Sequence, residues 1–360
     1  MPVKGALPLA EWIPPLSTPA LVVDLDIFEA NVAAMAGLLR GTGKTVRPHV
    51  KTHRTPDLAK RQLGESAHGV TCATVGEAEI MVDAGIDDVF IANEVVDASK
   101  LARIAELARR ATMSVAADAP EPVAALSREA MRRAVHVGVL IDVDILLHRC
   151  GVASIPEALV LARDIEHAPG LELRGLMGYE GRVRLSVESR ARKVADAYAA
   201  LRETREALVA AGHEIQVVSA AGTSTVREAI ADPTITELQA GVYALMEPEL
   251  LVMDLPFRCA VSIRGTVISS HADRSVVDVG RRVVGVEYGP PVPIGFQAER
   301  VAVSDEQTTV TMSDPPPLGS RVDFIPGQIR TTFNLHDHVW VTRGERIVDY
   351  WTVAARGSSQ

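Results

Sequence analysis

The sequence predicts an α/β protein that combines a (β/α)8 TIM-type barrel with a C-terminal antiparallel β domain. Up to about residue 250, short β-branched runs alternate with helical stretches rich in Ala, Leu, Glu and Arg. Hydrophobic residues make up 47% of the chain and aromatic residues only 4%, so the core is mostly aliphatic, as in helices packed on a parallel sheet. From Phe257 onward the apolar residues come in short alternating runs, which are typical of antiparallel strands.

The barrel is predicted from a series of strand candidates that alternate with helix candidates. The strand candidates are residues 20–24, 45–49, 69–73, 89–93, 113–118, 135–142, 173–179, 215–220 and 237–242. The helix candidates include residues 27–39, 75–84, 98–110, 155–167, 187–211 and 226–231. About eight consecutive βα units fit a closed barrel, and an open doubly wound sheet is the alternative. No GxGxxG follows the first strand candidate, which disfavours a dinucleotide-binding sheet.

The β domain is predicted from a change in the hydrophobic pattern near Asp254. Its strand candidates are residues 261–268, 275–278, 300–303, 308–311, 339–342 and 346–353. Clusters of Gly and Pro separate them, as expected of turns between antiparallel strands. We therefore place the barrel at residues 18–250 and the β domain at residues 251–360.

The composition argues against several classes of partner. The formal net charge is −9, whereas nucleic-acid binding needs clustered Lys and Arg. No apolar run reaches the roughly 18 residues of a membrane-spanning helix, and the first residues lack the pattern of a signal peptide. Cys72, Cys150 and Cys259 are spaced too widely for a zinc knuckle or a disulfide framework, so buried reduced thiols are expected. These features predict a cytoplasmic protein that acts on a small molecule.

The residues after each strand candidate predict the functional site, because the carboxyl ends of barrel strands carry the chemistry. Lys51 is the most informative of them, since a lysine at an apolar barrel mouth can form a Schiff base when its pKa is lowered. Arg47, His49 and His53 flank Lys51 in the sequence. Considered alone, Lys51 is also compatible with a solvated loop lysine.

Three further features suggest an anionic cofactor. Residues 222–225 combine glycine with hydroxyl side chains at a helix start, where backbone N–H groups bind phosphate, although an ordinary N-cap looks the same. Gly241 and Tyr243 are candidates to extend that site. Arg149 is suited to a phenolate oxygen or to a surface salt bridge. Together with Lys51, these residues predict pyridoxal 5'-phosphate, whose phosphate and aldehyde the protein would hold.

Seven short motifs lie between Thr18 and Gly357. They are TPA at 18–20, RPHVKTH at 47–53, RCGV at 149–152, GYEG at 178–181, AGT at 221–223, ELQAGVY at 237–243 and NLHD at 334–337. With these motifs the chain resembles the D-threonine aldolase/D-serine dehydratase family of fold-type III pyridoxal-phosphate enzymes, relatives of alanine racemase. The resemblance implies a β domain that also includes residues 1–17, and a head-to-tail homodimer with the site at its interface.

The resemblance also implies roles for individual residues. Lys51 is the expected Schiff-base lysine, with His49 beside it, and Arg149 is expected near the phenolic oxygen of the cofactor. Tyr179 is expected to line the pocket. The residues expected to hold the phosphate are Gly222, Thr223, Gly241 and Tyr243.

One motif departs from the family pattern. Members with aldolase or dehydratase activity carry His-x-Cys or His-x-Asp shortly before the NLHD motif, and that pair binds a divalent metal. Here the two positions hold Gln328 and Arg330. Glutamine is a weak metal ligand and arginine is not one, so we expect that no metal binds there. His336 and His338, which flank Asp337, are the alternative metal ligands, with structural histidines as the simpler interpretation.

The expected activity is a pyridoxal-phosphate-dependent lyase reaction, the retro-aldol cleavage of a D-configured β-hydroxy-α-amino acid. Loss of the metal counts most against dehydration, since hydroxide is a poor leaving group without a Lewis acid. Arg330 is the candidate to stabilise the β-oxygen, or to bind a second anionic group of the substrate, and His336 is the candidate base. A racemase, with Tyr179, Glu180 or a partner-subunit residue as second acid–base group, is the main alternative. A D-serine dehydratase-like ammonia-lyase and a non-catalytic cofactor carrier follow.

Overall fold

The computed structural model describes residues 15–181 and 187–360, which fall into two compact units. One unit holds residues 52–57, 243–357 and the described part of 1–34. The other holds residues 35–51, 358–360 and the described part of 58–242. The prediction that residues 1–17 belong to the β domain falls mainly on residues 1–14, which lie outside the described residues.

The described strands are named in chain order. They are β1 (Ala20–Asp24), β2 (Thr45–Val46), β3 (Val70–Cys72), β4 (Asp88–Glu94), β5 (Thr112–Ala117), β6 (Val137–Asp142), β7 (Leu171–Met177), β8 (Val217–Ala220), β9 (Glu237–Leu238), β10 (Val261–Ser270), β11 (Arg274–Val277), β12 (Val292–Pro293), β13 (Arg300–Val303), β14 (Thr308–Thr311), β15 (Arg321–Ile325), β16 (His338–Arg343) and β17 (Arg346–Thr352).

The described α-helices are named in the same way. They are α1 (Leu25–Leu39), α2 (Pro56–Gln62), α3 (Val75–Asp83), α4 (Ala98–Leu107), α5 (Pro120–Arg133), α6 (Ile155–His167), α7 (Val187–Ala210), α8 (Val226–Ala231) and α9 (Ile329–Asn334). None of the helices in the described part of the chain is long and apolar enough to cross a membrane.

Strands β2 to β9 form a parallel sheet in the order β2-β9-β8-β7-β6-β5-β4-β3. A single bridge between His49 and Thr71 joins the two edges of this sheet, and the Thr71 N–H donates to the Pro48 carbonyl at 2.9 Å. The predicted (β/α)8 barrel is therefore confirmed. Because all eight strands are parallel, the loops that follow them open at the same end of the barrel.

Helix α6 illustrates how the sequence builds the barrel wall. Ser154 caps the helix by accepting the N–H of Glu157, and proline occupies the first turn, where its missing N–H costs nothing. The buried residues are Ala158, Leu161, Ala162 and Ile165, which recur at spacings of three and four. That spacing puts them on one face of the helix, which packs on the sheet.

The unit that holds residues 243–357 contains a mostly antiparallel sheet, which confirms the predicted β domain. Its central order is β13-β14-β11-β10-β1-β16-β17, with β15 pairing both β10 and β12. Strand β1 lies between β10, to which it is antiparallel, and β16, to which it is parallel. The prediction that residues 20–24 open the barrel was therefore wrong. A buried strand followed by a helix has one pattern whichever sheet it joins, and its partners lie more than 200 residues away.

Candidate active site

Lys51 and Tyr179 lie together at the carboxyl end of the barrel. Lys51 is half-buried in the short 3-10 turn Val50–Thr52, which follows β2, and Tyr179 follows β7. The Nζ atom of Lys51 is 5.9 Å from the centre of the Tyr179 ring. His49, just before the turn, is buried. The sequence placed these residues at one mouth, and the structure brings the amine and the aromatic ring together there.

The turn at residues 222–225 follows β8 at the same end. The N–H of Gly222 donates to Oε1 of Glu180 at 3.2 Å, and the hydroxyl of Thr225 donates to the same oxygen. A Cβ atom added to Gly222 would lie 3.4 Å from the Tyr179 ring, so glycine lets the turn approach that ring closely. Thr223 is buried in the turn. Glu180 is the residue whose contacts with this turn the sequence did not indicate.

Arg149 is presented by a loop that follows β6. Asp144 holds one side of Arg149, because its carboxylate accepts the N–H of His148 at 2.9 Å. Asp118 holds the other side, because it accepts the N–H of Gly151 at 3.0 Å. The Arg149 side chain is exposed and lines a small cavity together with Tyr179. The predicted group of Lys51, Tyr179, Arg149 and the 222–225 turn is thus collected at one end.

A cluster of acids borders Arg149, and sequence reasoning missed it. Burial, with a hydrogen bond to Glu94 and the charges of Glu94 and Asp118, raises the pKa of Asp142 to about 8, although Arg149 opposes the shift. Burial and a hydrogen bond to Glu94 raise the pKa of the Cys150 thiol to about 11. Asp142 therefore keeps its proton near pH 7, and Cys150 stays a thiol. The sequence signal for this cluster was an acidic residue at or just after the end of three neighbouring strands, namely Glu94, Asp118 and Asp142.

Arg47 does not join this group. Its guanidinium pairs with Asp88 and Glu237, each at 2.8 Å. Both acids are the first residues of their strands, β4 and β9, so Arg47 points toward the amino end of the barrel. Arg47 flanks Lys51 in the sequence, but the structure does not direct its charge at Lys51, because two partly buried carboxylates already balance it.

Gly241 and Tyr243 fall in different units. Gly241 follows β9 in the barrel unit, where it is buried. Tyr243 belongs to the β-domain unit and is completely buried, with its ring 5.6 Å from that of Phe257.

The two positions of the family's metal motif carry other contacts here. Gln328 caps α9, and its Oε1 atom accepts the N–H of Thr331 at 2.6 Å. Arg330 lies 3.7 Å from the buried carboxylate of Glu247 and donates to the Tyr288 hydroxyl at 3.1 Å. The amide oxygen is used in the cap and the guanidinium carries a positive charge, so this pair of residues does not fit a divalent metal.

The NLHD motif does not assemble another metal site. Nε2 of His336 donates to the Val283 carbonyl at 2.8 Å, and burial lowers the pKa of His336. Asp337 pairs with Arg356, and the His338 ring lies 4.6 Å from that of Tyr350. Strand β16 begins only at His338, so His336 and Asp337 lie outside the strand. In the described part of the chain these side chains face three different partners.

Comparison with known proteins identifies the family. Residues 23–247 match the family described as "Alanine racemase, N-terminal domain", and residues 260–342 match "Putative serine dehydratase domain". A D-threonine aldolase from Arthrobacter sp. is 35% identical over 376 residues, covering 100% of this chain and 97% of the relative. The chain belongs to the D-threonine aldolase/D-serine dehydratase family of fold-type III pyridoxal-phosphate enzymes. It is therefore a pyridoxal-phosphate-dependent enzyme, as the motifs predicted.

Two further relatives agree with this assignment. A 3-hydroxy-D-aspartate aldolase from Paracoccus denitrificans (strain Pd 1222) is 31% identical, covering 95% of this chain and 92% of the relative. The crystal structure of D-threonine aldolase from Filomicrobium marinum matches with a TM-score of 0.92 and 34% identity, covering 96% of this chain and 97% of that one.

The residues at the barrel mouth fit the family's cofactor. An amine lies beside an aromatic ring, and Gly222 of the turn lies beside that same ring, where an added Cβ atom would be at van der Waals distance, 3.4 Å. An aldehyde-bearing aromatic ring with a phosphate arm needs these three elements, namely an amine, a stacking surface and a cradle of backbone N–H groups.

Proposed function

We propose that the protein cleaves D-configured β-hydroxy-α-amino acids by a retro-aldol reaction that uses pyridoxal 5'-phosphate but no divalent metal. The observation that carries the choice of reaction is the chemistry at the family's metal position, where Gln328 caps a helix and Arg330 pairs with Glu247. Expulsion of hydroxide needs a Lewis acid more than cleavage of the Cα–Cβ bond does. The names of the aldolase relatives support the substrate class.

The barrel residues hold the cofactor in this proposal. Lys51 would supply the amine for its aldehyde, Tyr179 would face its ring, and Arg149 would interact with its phenolic oxygen, with His49 beside the lysine. Gly222, Thr223, Gly241 and Tyr243 hold the phosphate. When bound, pyridoxal phosphate accepts the electron pair that is released at Cα.

Arg330 and His336 act on the β-hydroxyl in this proposal. Arg330 stabilises the negative charge that develops on the β-oxygen, as a fixed cation can without metal. His336 takes the hydroxyl proton. Because Nε2 of His336 already donates to a carbonyl, Nδ1 is the nitrogen that accepts this proton. Burial lowers the pKa of His336 and keeps the imidazole neutral, as a base must be.

The proposal is tested by incubating the holoenzyme with D-threonine and other D-β-hydroxy amino acids and analysing every product. Glycine and the matching aldehyde are expected in equal amounts. Deuterium from solvent at Cα, with loss of chirality and no carbonyl product, would instead establish the racemase. Ammonia with a keto acid would establish the dehydratase, and bound cofactor without turnover would leave a carrier. A homodimer in the cytoplasm remains part of the proposal.

A further inference from the structure

We propose that Glu180 is a positioning residue that shapes the phosphate-binding turn at residues 222–225 and weakens phosphate binding through its charge. The inference rests on the proposed role of that turn as the phosphate cradle. Glu180 is only 1% exposed, and it follows Tyr179 directly in the chain. No residue type at this position is needed by the chemistry of the cofactor ring, so its burial calls for another explanation.

The contacts of Glu180 show how it shapes the turn. Its Oε1 atom accepts the N–H of Gly222 at 3.2 Å and the hydroxyl hydrogen of Thr225. The preceding residue, Ala221, has a φ of 71°, in the left-handed region that a residue with a Cβ rarely adopts. The hydrogen bonds from Gly222 and Thr225 fix the turn on both sides of Thr223, and so offset the cost of that backbone conformation.

The surroundings of Glu180 leave its charge weakly compensated. Its Oε2 atom is buried and has no hydrogen-bond partner among the described residues. Burial raises the pKa of Glu180, while the hydrogen bonds from Thr225, Gly222 and Ala221 oppose that shift. The charge also reaches Tyr198, whose pKa is raised mainly by its own burial and then by Glu180. An ionised Glu180 would repel a phosphate bound on this turn at short range.

Geometry and charge therefore have opposite effects on phosphate affinity, and two substitutions separate them. Glu180→Gln keeps an acceptor oxygen for Gly222 and Thr225 but removes the charge, so phosphate should bind more tightly. Glu180→Ala removes both, so the turn loses its support and phosphate should bind more weakly. A residue with a merely structural role would not give tighter binding on substitution.

The experiment measures dissociation constants of the apoprotein for pyridoxal phosphate and for pyridoxal, which lacks the phosphate. In Glu180→Gln we expect the constant for pyridoxal phosphate to fall by roughly threefold to tenfold and that for pyridoxal to stay unchanged. In Glu180→Ala we expect the constant for pyridoxal phosphate to rise by at least about tenfold. Glu172→Gln, the same change at the amino end of β7, is the matched control and should move neither constant.

Three results would overturn the inference. One is an unchanged or weaker affinity for pyridoxal phosphate in Glu180→Gln, with thermal melting confirming that the variant is folded. Another is an equal shift for pyridoxal and pyridoxal phosphate. The third is an unchanged preference for pyridoxal phosphate over pyridoxal in Thr223→Ala. That result would show that the turn does not bind the phosphate, and the proposed cofactor site would fall with it. A Thr223 effect without a Glu180 effect overturns only the role of Glu180.

Discussion

The carboxylate of Glu247, which is fully buried, lies 3.7 Å from the guanidinium of Arg330. The same carboxylate accepts the N–H of Ile329 at 3.1 Å, at the start of α9. Arg330 thus occupies a position that carries a metal ligand in relatives, and a buried countercharge accompanies it. A structural effect and a catalytic effect of Arg330 can be separated because the countercharge can be removed independently.

Arg330→Ala is expected to lower both stability and turnover. It removes the Arg330 guanidinium from beside the buried Glu247 carboxylate, which should cost about 2 kcal/mol in the free energy of unfolding measured with urea. The double variant Arg330→Ala/Glu247→Gln should recover most of that loss and still turn over substrate at least about a hundredfold more slowly than wild type. Full turnover by the folded double variant would remove Arg330 from the mechanism.

Lys51→Ala is expected to abolish turnover and covalent attachment of the cofactor. Borohydride reduction of the wild-type holoenzyme should fix the cofactor to the peptide that contains Lys51, as mass spectrometry can establish. Lys60→Ala, at an exposed position on α2, is the control and should keep both properties. Attachment of the cofactor to any other lysine would contradict the assignment.

Chelator treatment is expected to leave turnover unchanged. The amide oxygen of Gln328 is occupied by the Thr331 N–H, and Arg330 repels cations, so no tight metal binding is expected at this pair. Metal content should be measured on the same sample before and after treatment. Stoichiometric metal whose removal stops the reaction would refute the metal-free mechanism.

Asp142 is expected to make stability depend on pH. Its pKa of about 8 in the folded protein lies above the value of about 4 in the unfolded chain, so between these values only the folded protein retains the proton. Stability should therefore fall as the pH rises from about 4 to about 8. Relative to Asp142→Asn, the wild-type apoprotein should lose on the order of 5 kcal/mol over this window in urea unfolding, at about 1.4 kcal/mol per pH unit. Parallel pH profiles for the two proteins would show that Asp142 is ionised throughout.

Local patterns predicted most of the elements well. Helices α6 and α8 and strands β13 and β14 have the predicted bounds, because their apolar spacing and flanking turn residues agree. Strands β2 and β9 proved shorter than predicted and end at Val46 and Leu238. Strand β15 and helix α9 were missed, because each is short and flanked by Gly and Pro that suggest only loops.

The site was predictable where a residue type determines the chemistry, and less so where long-range pairing decides. Lys51, Tyr179 and Gly222 could be grouped because each ends a parallel strand. Arg47 ends a strand too, but its partners at the starts of β4 and β9 lie far away in sequence. The sequence suggested Glu180 as a candidate acid–base group. Its hydrogen bonds with Gly222 and Thr225 could be found only from the structure.

The one-bridge seam between His49 and Thr71 has a mechanical consequence for the barrel. Lys51 lies two residues after His49, where the single bridge closes the barrel. Strand β9 separates β2, which precedes Lys51, from β8, which precedes the 222–225 turn. A cofactor bonded to Lys51 and bound on that turn would link the edge strand β2 to β8 and so restrain the position of β2. The Thr71 N–H donates to Pro48, which follows β2, so its hydrogen should exchange faster in the apoprotein than in the holoenzyme. The cofactor would then help to keep the barrel closed.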